Sequence, residues 1–325
     1  MGLNLTKRLR RNRKSHSIRS MVRETVLRPD NLILPIFIQH GKQLKSEIQA
    51  IPGTYRWTVD MLPEICEQAV QMGIAGVALF PVIPEDKKDL FSSEALNPRG
   101  VMCRAIKLIK SAYPSLVIVS DIALDPYSIL GHDGLVSDGE VLNDETVEVL
   151  SKMALLHAKA GVDIVAPSDM MDGRVGAIRS VLDDAGFHSV SILSYAAKYA
   201  SNLYSPFRDA LQSTPKSGDK ESYQMDFSNR REAIREVCLD LEEGADIVMV
   251  KPGTLYLDII REIRDRFNCP VAAFHVSGEY VMVKLAGSKG LLDEKKVFLE
   301  ALTSLKRAGA DVILTYAALE VASDL

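Results

Sequence analysis

The chain is poor in residues that staple, anchor or stack. It has four cysteines in 325 residues, Cys66, Cys103, Cys238 and Cys269, far apart and without a Cys-x-x-Cys pair. That spacing excludes a disulfide framework and a cysteine zinc knuckle, and it predicts free thiols in a reducing, cytoplasmic setting. No stretch approaches the roughly 18 uninterrupted apolar residues of a transmembrane helix. The N-terminus lacks the apolar core of a signal peptide. Acid is missing there too: no Asp or Glu precedes Glu24, whereas Lys7, Arg8, Arg10, Arg11, Arg13, Lys14, Arg19 and Arg23 crowd the first 23 positions. These eight of 39 basic residues leave 31 against 43 acids, so a body of about −12 carries a cationic arm within a net charge of −4. No Phe, Tyr or Trp lies between Met1 and Leu32 to stack on bases, so an acidic surface, such as a neighbouring copy, is the expected partner rather than nucleic acid. An Arg-rich, acid-free start also leaves an organellar transit role open.

What is present is an alternation. Eight short apolar runs, Leu32–Ile38, Gly76–Val82, Leu116–Ile122, Val162–Ala166, Val190–Leu193, Asp246–Val250, Pro270–Phe274 and Asp311–Leu314, are separated by segments of helical spacing. Five of those segments stop at a glycine (Gly73, Gly161, Gly186, Gly244, Gly309) just before the next run. Three stops read as a refrain: Ala160-Gly-Val-Asp-Ile-Val, Glu243-Gly-Ala-Asp-Ile-Val and Ala308-Gly-Ala-Asp-Val-Ile. Eight doubly buried strands, each fed by a helix, predict an α/β fold of the (β/α)8 TIM barrel type. An open doubly wound sheet would carry a Gly-rich phosphate loop after its first strand, and Gln39-His40-Gly41-Lys42 is not one. The expected organisation is a basic arm over 1–30 and a barrel over 31–325.

Chemistry in such barrels gathers where the strands end. Lys251 follows Asp-Ile-Val-Met-Val without a break, and Lys198 lies a few residues past the fifth run, in Ser194-Tyr-Ala-Ala-Lys. An ammonium emerging from an apolar strand beside a second cation loses its proton readily, and a neutral amine attacks a ketone to form a Schiff base. Carboxylates ring the same mouth, at Asp121, Asp125 and Asp133.

Ser194–Ser201 and Val248-Met-Val-Lys-Pro-Gly resemble the two lysine motifs of the porphobilinogen synthase (5-aminolevulinate dehydratase) family. Ala166–Arg179, Ser222-Tyr-Gln-Met-Asp and Val276-Ser-Gly-Glu-Tyr are similar to the same family, in its order, from about Arg8 to Leu319. The resemblance implies two 5-aminolevulinate molecules condensing to porphobilinogen with loss of two waters, in tetrapyrrole biosynthesis. It also implies a homo-octamer with arms wrapped on neighbours. By motif, Lys251 would hold the first substrate and Lys198 the second. Ser277 and Tyr316 would bind the first carboxylate, and Arg208, Lys220 and Gln224 the second. Lys220 is a departure, since many relatives carry Arg there. The 203–225 stretch, rich in Pro, Ser and Gly, reads as a lid, with Phe207 and Tyr199 packing rather than reacting. A class I aldolase is the competing reading, though it needs only Lys251.

Where zinc-dependent members of the family carry three cysteines, this chain has Ala123, Asp125 and Asp133, so no catalytic zinc is expected. His132 could add one weak ligand. Asp125 and Asp133 would either hold Mg2+ or act by hydrogen bonds. Glu236 and Asp240, four apart on a helix, share a face. The resemblance implies an activating Mg2+ at Glu236, outside the active site, with Asp240 in its outer shell.

Overall fold

The computed structural model describes residues 5–325, so the first four residues of the expected arm lie outside it. Eight parallel strands close on themselves: β1 (Leu32–Gln39), β2 (Gly76–Val82), β3 (Val117–Ile122), β4 (Ile164–Pro167), β5 (Ser191–Lys198), β6 (Ile247–Lys251), β7 (Val271–His275) and β8 (Val312–Thr315). β8 returns to β1, with Leu32 opposite Ile313 and Ile33 opposite Leu314. This is the expected (β/α)8 barrel. A hairpin of Lys45–Glu47 and Tyr55–Thr58 adds to the far end of β1, Arg56 lying opposite Phe37.

The outer helices are α1 (Leu62–Gln71), α2 (Val101–Ala112), α3 (Asn143–Ala160), α4 (Arg174–Asp184), α5 (Arg231–Glu242), α6 (Leu257–Arg266) and α7 (Glu294–Ala308), with Ala318–Ala322 closing the chain. Each buries one stripe. In α7 the stripe is Phe298, Leu302, Leu305 and Ala308, and the Asp293 carboxylate caps its start through the Lys296 N–H at 3.2 Å. Gly309 then ends it at φ 132°, where a side chain would meet Arg264.

The refrain has a structural explanation. Its aspartates, Asp163, Asp246 and Asp311, stand just before β4, β6 and β8. Each gives its N–H to the preceding strand and accepts an N–H back through its carboxylate. Asp311 bonds the Val271 carbonyl at 2.7 Å and the Val271 N–H at 3.1 Å; Asp246 does the same to Ile192, and Asp163 to Ile118. The three clamps fasten strand pairs 3–4, 5–6 and 7–8 at the rim opposite the expected site.

Two elements differ from the sequence reading. The fifth strand runs on to Lys198, because one extra residue is accommodated between Ser194 and Ala197 against Val248 and Val250 of β6. Ser-Tyr-Ala-Ala lacks the branched residues that mark a strand. A further helix, Ser277–Ser288, follows β7; it buries only Ser277, Gly278, Glu279 and Tyr280 and exposes Met282 and Leu285, so its apolar residues show no helical period. At the other end, Leu27 is the first buried residue among the described ones, and the two short helical turns of the arm bury nothing.

Candidate active site

The extra residue in β5 brings Lys198 opposite Lys251, so the two lysines end adjacent strands on one rung. Both are buried, but in different company. The Lys251 Nζ sits 4.8 to 5.1 Å from the ring centres of Phe274, Phe207, Tyr195 and Tyr204. Burial, then the Lys198 charge, brings its pKa down to about 7. Lys198 donates to the Ser168 carbonyl and lies 3.7 Å from Asp133.

Three carboxylates from the β3 end balance these cations. Asp121 accepts a 2.7 Å hydrogen bond from the Ser168 hydroxyl, and burial, reinforced by Asp125, lifts it to about 7. Burial also raises Asp125, although Lys220 opposes it. Burial acts on Asp133 the same way, but Lys198 and Lys220 together outweigh it and hold that carboxyl below its usual range. Lys220 reaches Asp133 at 3.1 Å and Asp125 at 3.6 Å, while Gln224 donates to Asp133 at 3.3 Å. Arg208 completes the lining of a cavity of only about 20 Å3, room for roughly one water. The chemical content is a readily neutral amine beside a second lysine, with a carboxyl group poised to exchange a proton near neutrality.

Ser277 and Tyr316 are buried at the ends of β7 and β8, but neither lines this cavity. Ser277 Oγ faces the Leu203 carbonyl at 3.4 Å. The Tyr316 ring lies behind Phe274 and Phe37, and its hydroxyl is buried without a hydrogen-bond partner. Phe207 packs against Phe37 and Phe80, and Tyr199 stacks on Tyr256 at 4.3 Å. The sequence reading missed Ser168, which serves both Lys198 and Asp121, and the ring box of Tyr195, Tyr204 and Phe274. Ser168 and Tyr195 lie within Ala166–Arg179 and Ser194–Ser201, but only the folded chain shows what they face.

His132 spends both ring nitrogens on the lid, one 3.2 Å from the Tyr223 hydroxyl and the other 3.0 Å from the Ser217 carbonyl. With Ala123 offering no donor and Asp125 and Asp133 turned onto Lys220, this loop does not fit a soft metal. Among the described residues no three His, Cys, Asp or Glu side chains form a metal cage.

Glu236 opens instead into a separate cavity of about 570 Å3, with Glu140, Asp172 and Glu232 on its walls. Burial raises its pKa against the pull of Arg174. A single carboxylate with others nearby fits Mg2+, which keeps most of its waters. Asp240 does not share that cavity: it turns inward to Arg174 at 3.2 Å and to the Ser194 hydroxyl. The buried guanidinium needs that carboxylate, which holds Asp240 at the barrel wall, where its charge still acts on Glu236.

The family model described as "Delta-aminolevulinic acid dehydratase" matches residues 6–324. The chain belongs to the delta-aminolevulinic acid dehydratase family. It is 52% identical over 317 residues to the delta-aminolevulinic acid dehydratase of Chlamydia pneumoniae, covering 98% of this chain and 96% of the relative. Identity to the Bradyrhizobium diazoefficiens enzyme is 50% over 325 residues, 100% of this chain and 92% of the relative. A crystal structure of the Toxoplasma gondii enzyme in complex with the reaction product porphobilinogen superposes with a TM-score of 0.97 at 46% identity. That match covers 100% of this chain and 93% of the other.

Proposed function

We infer that the chain is a lyase that condenses two 5-aminolevulinate molecules to porphobilinogen with release of two waters. The observation that carries this reading is the pair of lysines on one rung, one of them easily neutral. The neutral Lys251 amine adds to the ketone of one substrate; loss of water leaves an imine. Lys198 takes the second substrate in the same way. Asp121 exchanges protons with the carbons and nitrogens that rearrange, and both lysines leave as free amines when the pyrrole closes. The ring box excludes water, which would hydrolyse the imines. Arg208, Lys220 and Gln224 would receive one substrate carboxylate. Ser277 and Tyr316 would receive the other, and the unpartnered Tyr316 hydroxyl supports that role. A class I aldolase would use Lys251 and leave Lys198, equally buried, without a task.

Mg2+ at Glu236 would be an activator outside the chemistry. The four unpaired thiols support a cytoplasmic setting. Assembly with further copies, as in an octamer, is supported by exposed apolar side chains, Met282, Leu285, Leu291 and Leu292 after β7 and Leu9, Met21 and Val22 in the arm. Among the described residues no helix is long and apolar enough to cross a membrane.

Incubation with 5-aminolevulinate should yield a pyrrole detectable by colour, and borohydride should trap substrate on Lys251 and on Lys198. Trapping confined to other lysines would overturn the Schiff-base reading. Absence of pyrrole, with and without Mg2+, would overturn the activity.

A further inference from the structure

The lid helix Ser205–Leu211 carries two groups over the cavity: Phe207, whose ring centre is 4.9 Å from the Lys251 Nζ, and Arg208. Its own residues explain its start, with Pro206 in the first turn, and close its end through the Gln212 N–H, which reaches back to the Arg208 and Asp209 carbonyls. It stops at Gln212, which adopts a left-handed φ of 55° although it is not glycine. The last carbonyls of the helix are therefore turned toward the rim of β1 and β2, where two cations meet them.

Arg56, on the strand added to β1, donates to the Ala210 carbonyl at 2.8 Å and to the Asp209 carbonyl at 3.1 Å. Lys88, just past β2, donates to the Gln212 carbonyl at 2.6 Å and to Glu85 at 2.6 Å. The Lys88 side chain is only 2% exposed, whereas Glu85 is 59% exposed. A buried ammonium with one solvated carboxylate and one carbonyl depends on that carbonyl, and lifting the helix would strip it away. Glu85 also lies 3.7 Å from Lys216, so one carboxylate serves both the latch and the strap it holds. Positive charge at a helix C-terminus adds to the hold.

We propose that Arg56 and Lys88 are positioning residues that latch the lid helix by its carbonyl end, setting Phe207 over Lys251 and Arg208 on the wall of the cavity that Lys198 lines. Neither touches a reacting atom. Both act through the helix, on the concentration of substrate needed to keep it closed. The effect of the latch on substrate rests on the reading of Arg208 as a substrate ligand, and the two can fail separately.

The test compares Lys88→Met, Lys88→Arg, Arg56→Leu and Arg208→Ala in the full-length enzyme. Lys88→Met and Arg56→Leu should each raise KM for 5-aminolevulinate by about tenfold or more, with kcat changed far less. Trypsin should cut the free variants faster at Arg208, Lys216 or Lys220, and saturating substrate should restore protection. Lys88→Arg should recover most of the parent KM because it keeps a donor. Unchanged KM and cleavage in folded Lys88→Met and Arg56→Leu would overturn the latch. So would loss of borohydride trapping at Lys251, which would mark a collapsed barrel rim instead. If Lys88→Met does not fold, half-exposed Arg56→Leu decides the matter alone. Parent-like cleavage with a normal KM in Arg208→Ala would sink the ligand reading of Arg208 and leave the latch standing.

Discussion

Lys251 and Lys198 carry one functional group from one rung, yet aromatic rings surround the first while a carbonyl and a carboxylate hold the second. The consequence for Lys251 is a proton lost near pH 7 rather than at the ordinary 10.5. Trapping by borohydride at limiting substrate should therefore climb with pH through about 7 and then level. A flat profile over that range would contradict the neutral-amine mechanism. The same shift bears on stability. Between about 7 and 10.5 the unfolded chain holds a proton the folded one has released, so this group's contribution improves as pH rises, and its full cost is felt below about 7. Lys251→Met should keep the volume and remove the cost. At neutral pH it should be more stable than the parent in urea, read as a higher midpoint, while trapping nothing at that position. A less stable variant would mean the rings stabilise the cation more than burial penalises it.

At the scale of strands and helices, most of the barrel was legible because each run is apolar on both faces and five of the helices stop at a glycine. The end of β5 was not, since Ser194 to Ala197 holds its place through the irregular pairing with β6 rather than by propensity. The Ser277–Ser288 helix was hidden for the opposite reason: its exposed Met282 and Leu285 erase the contrast that marks a helix face. In the site, the two lysines and the carboxylates were readable from strand ends. The inward turn of Asp240 was not, because Arg174 lies 66 positions away in sequence. The refrain was visible as a pattern, but its purpose was not. Asp311→Ala should orphan the buried Val271 N–H and release Arg264, lowering stability by about 1–3 kcal/mol in urea. Schiff-base trapping should survive, since the clamp lies at the opposite rim. A silent substitution would show that the backbone ladder alone sets that register.

For the whole molecule, metal and assembly are expected to act together. Activity should survive a zinc-selective chelator and fall when Mg2+ is stripped, through assembly more than chemistry. Glu236→Ala should lower both Mg2+ stimulation and the fraction of large oligomer on sizing chromatography, with both lysines still trapped. One tightly bound zinc per chain, required for turnover, would refute this. The arm adds a physical condition of its own. Its cations face a body of about −12, and its Leu9, Met21 and Val22 are bare. Contacts of the first kind fade as the Debye length shrinks from about 8 Å at physiological ionic strength to about 3 Å at 1 M. Those of the second kind strengthen with excluded, kosmotropic anions. Ammonium sulfate should therefore hold more of any assembly together than sodium chloride at equal ionic strength, so that the identity of the anion, not only its concentration, sets the balance.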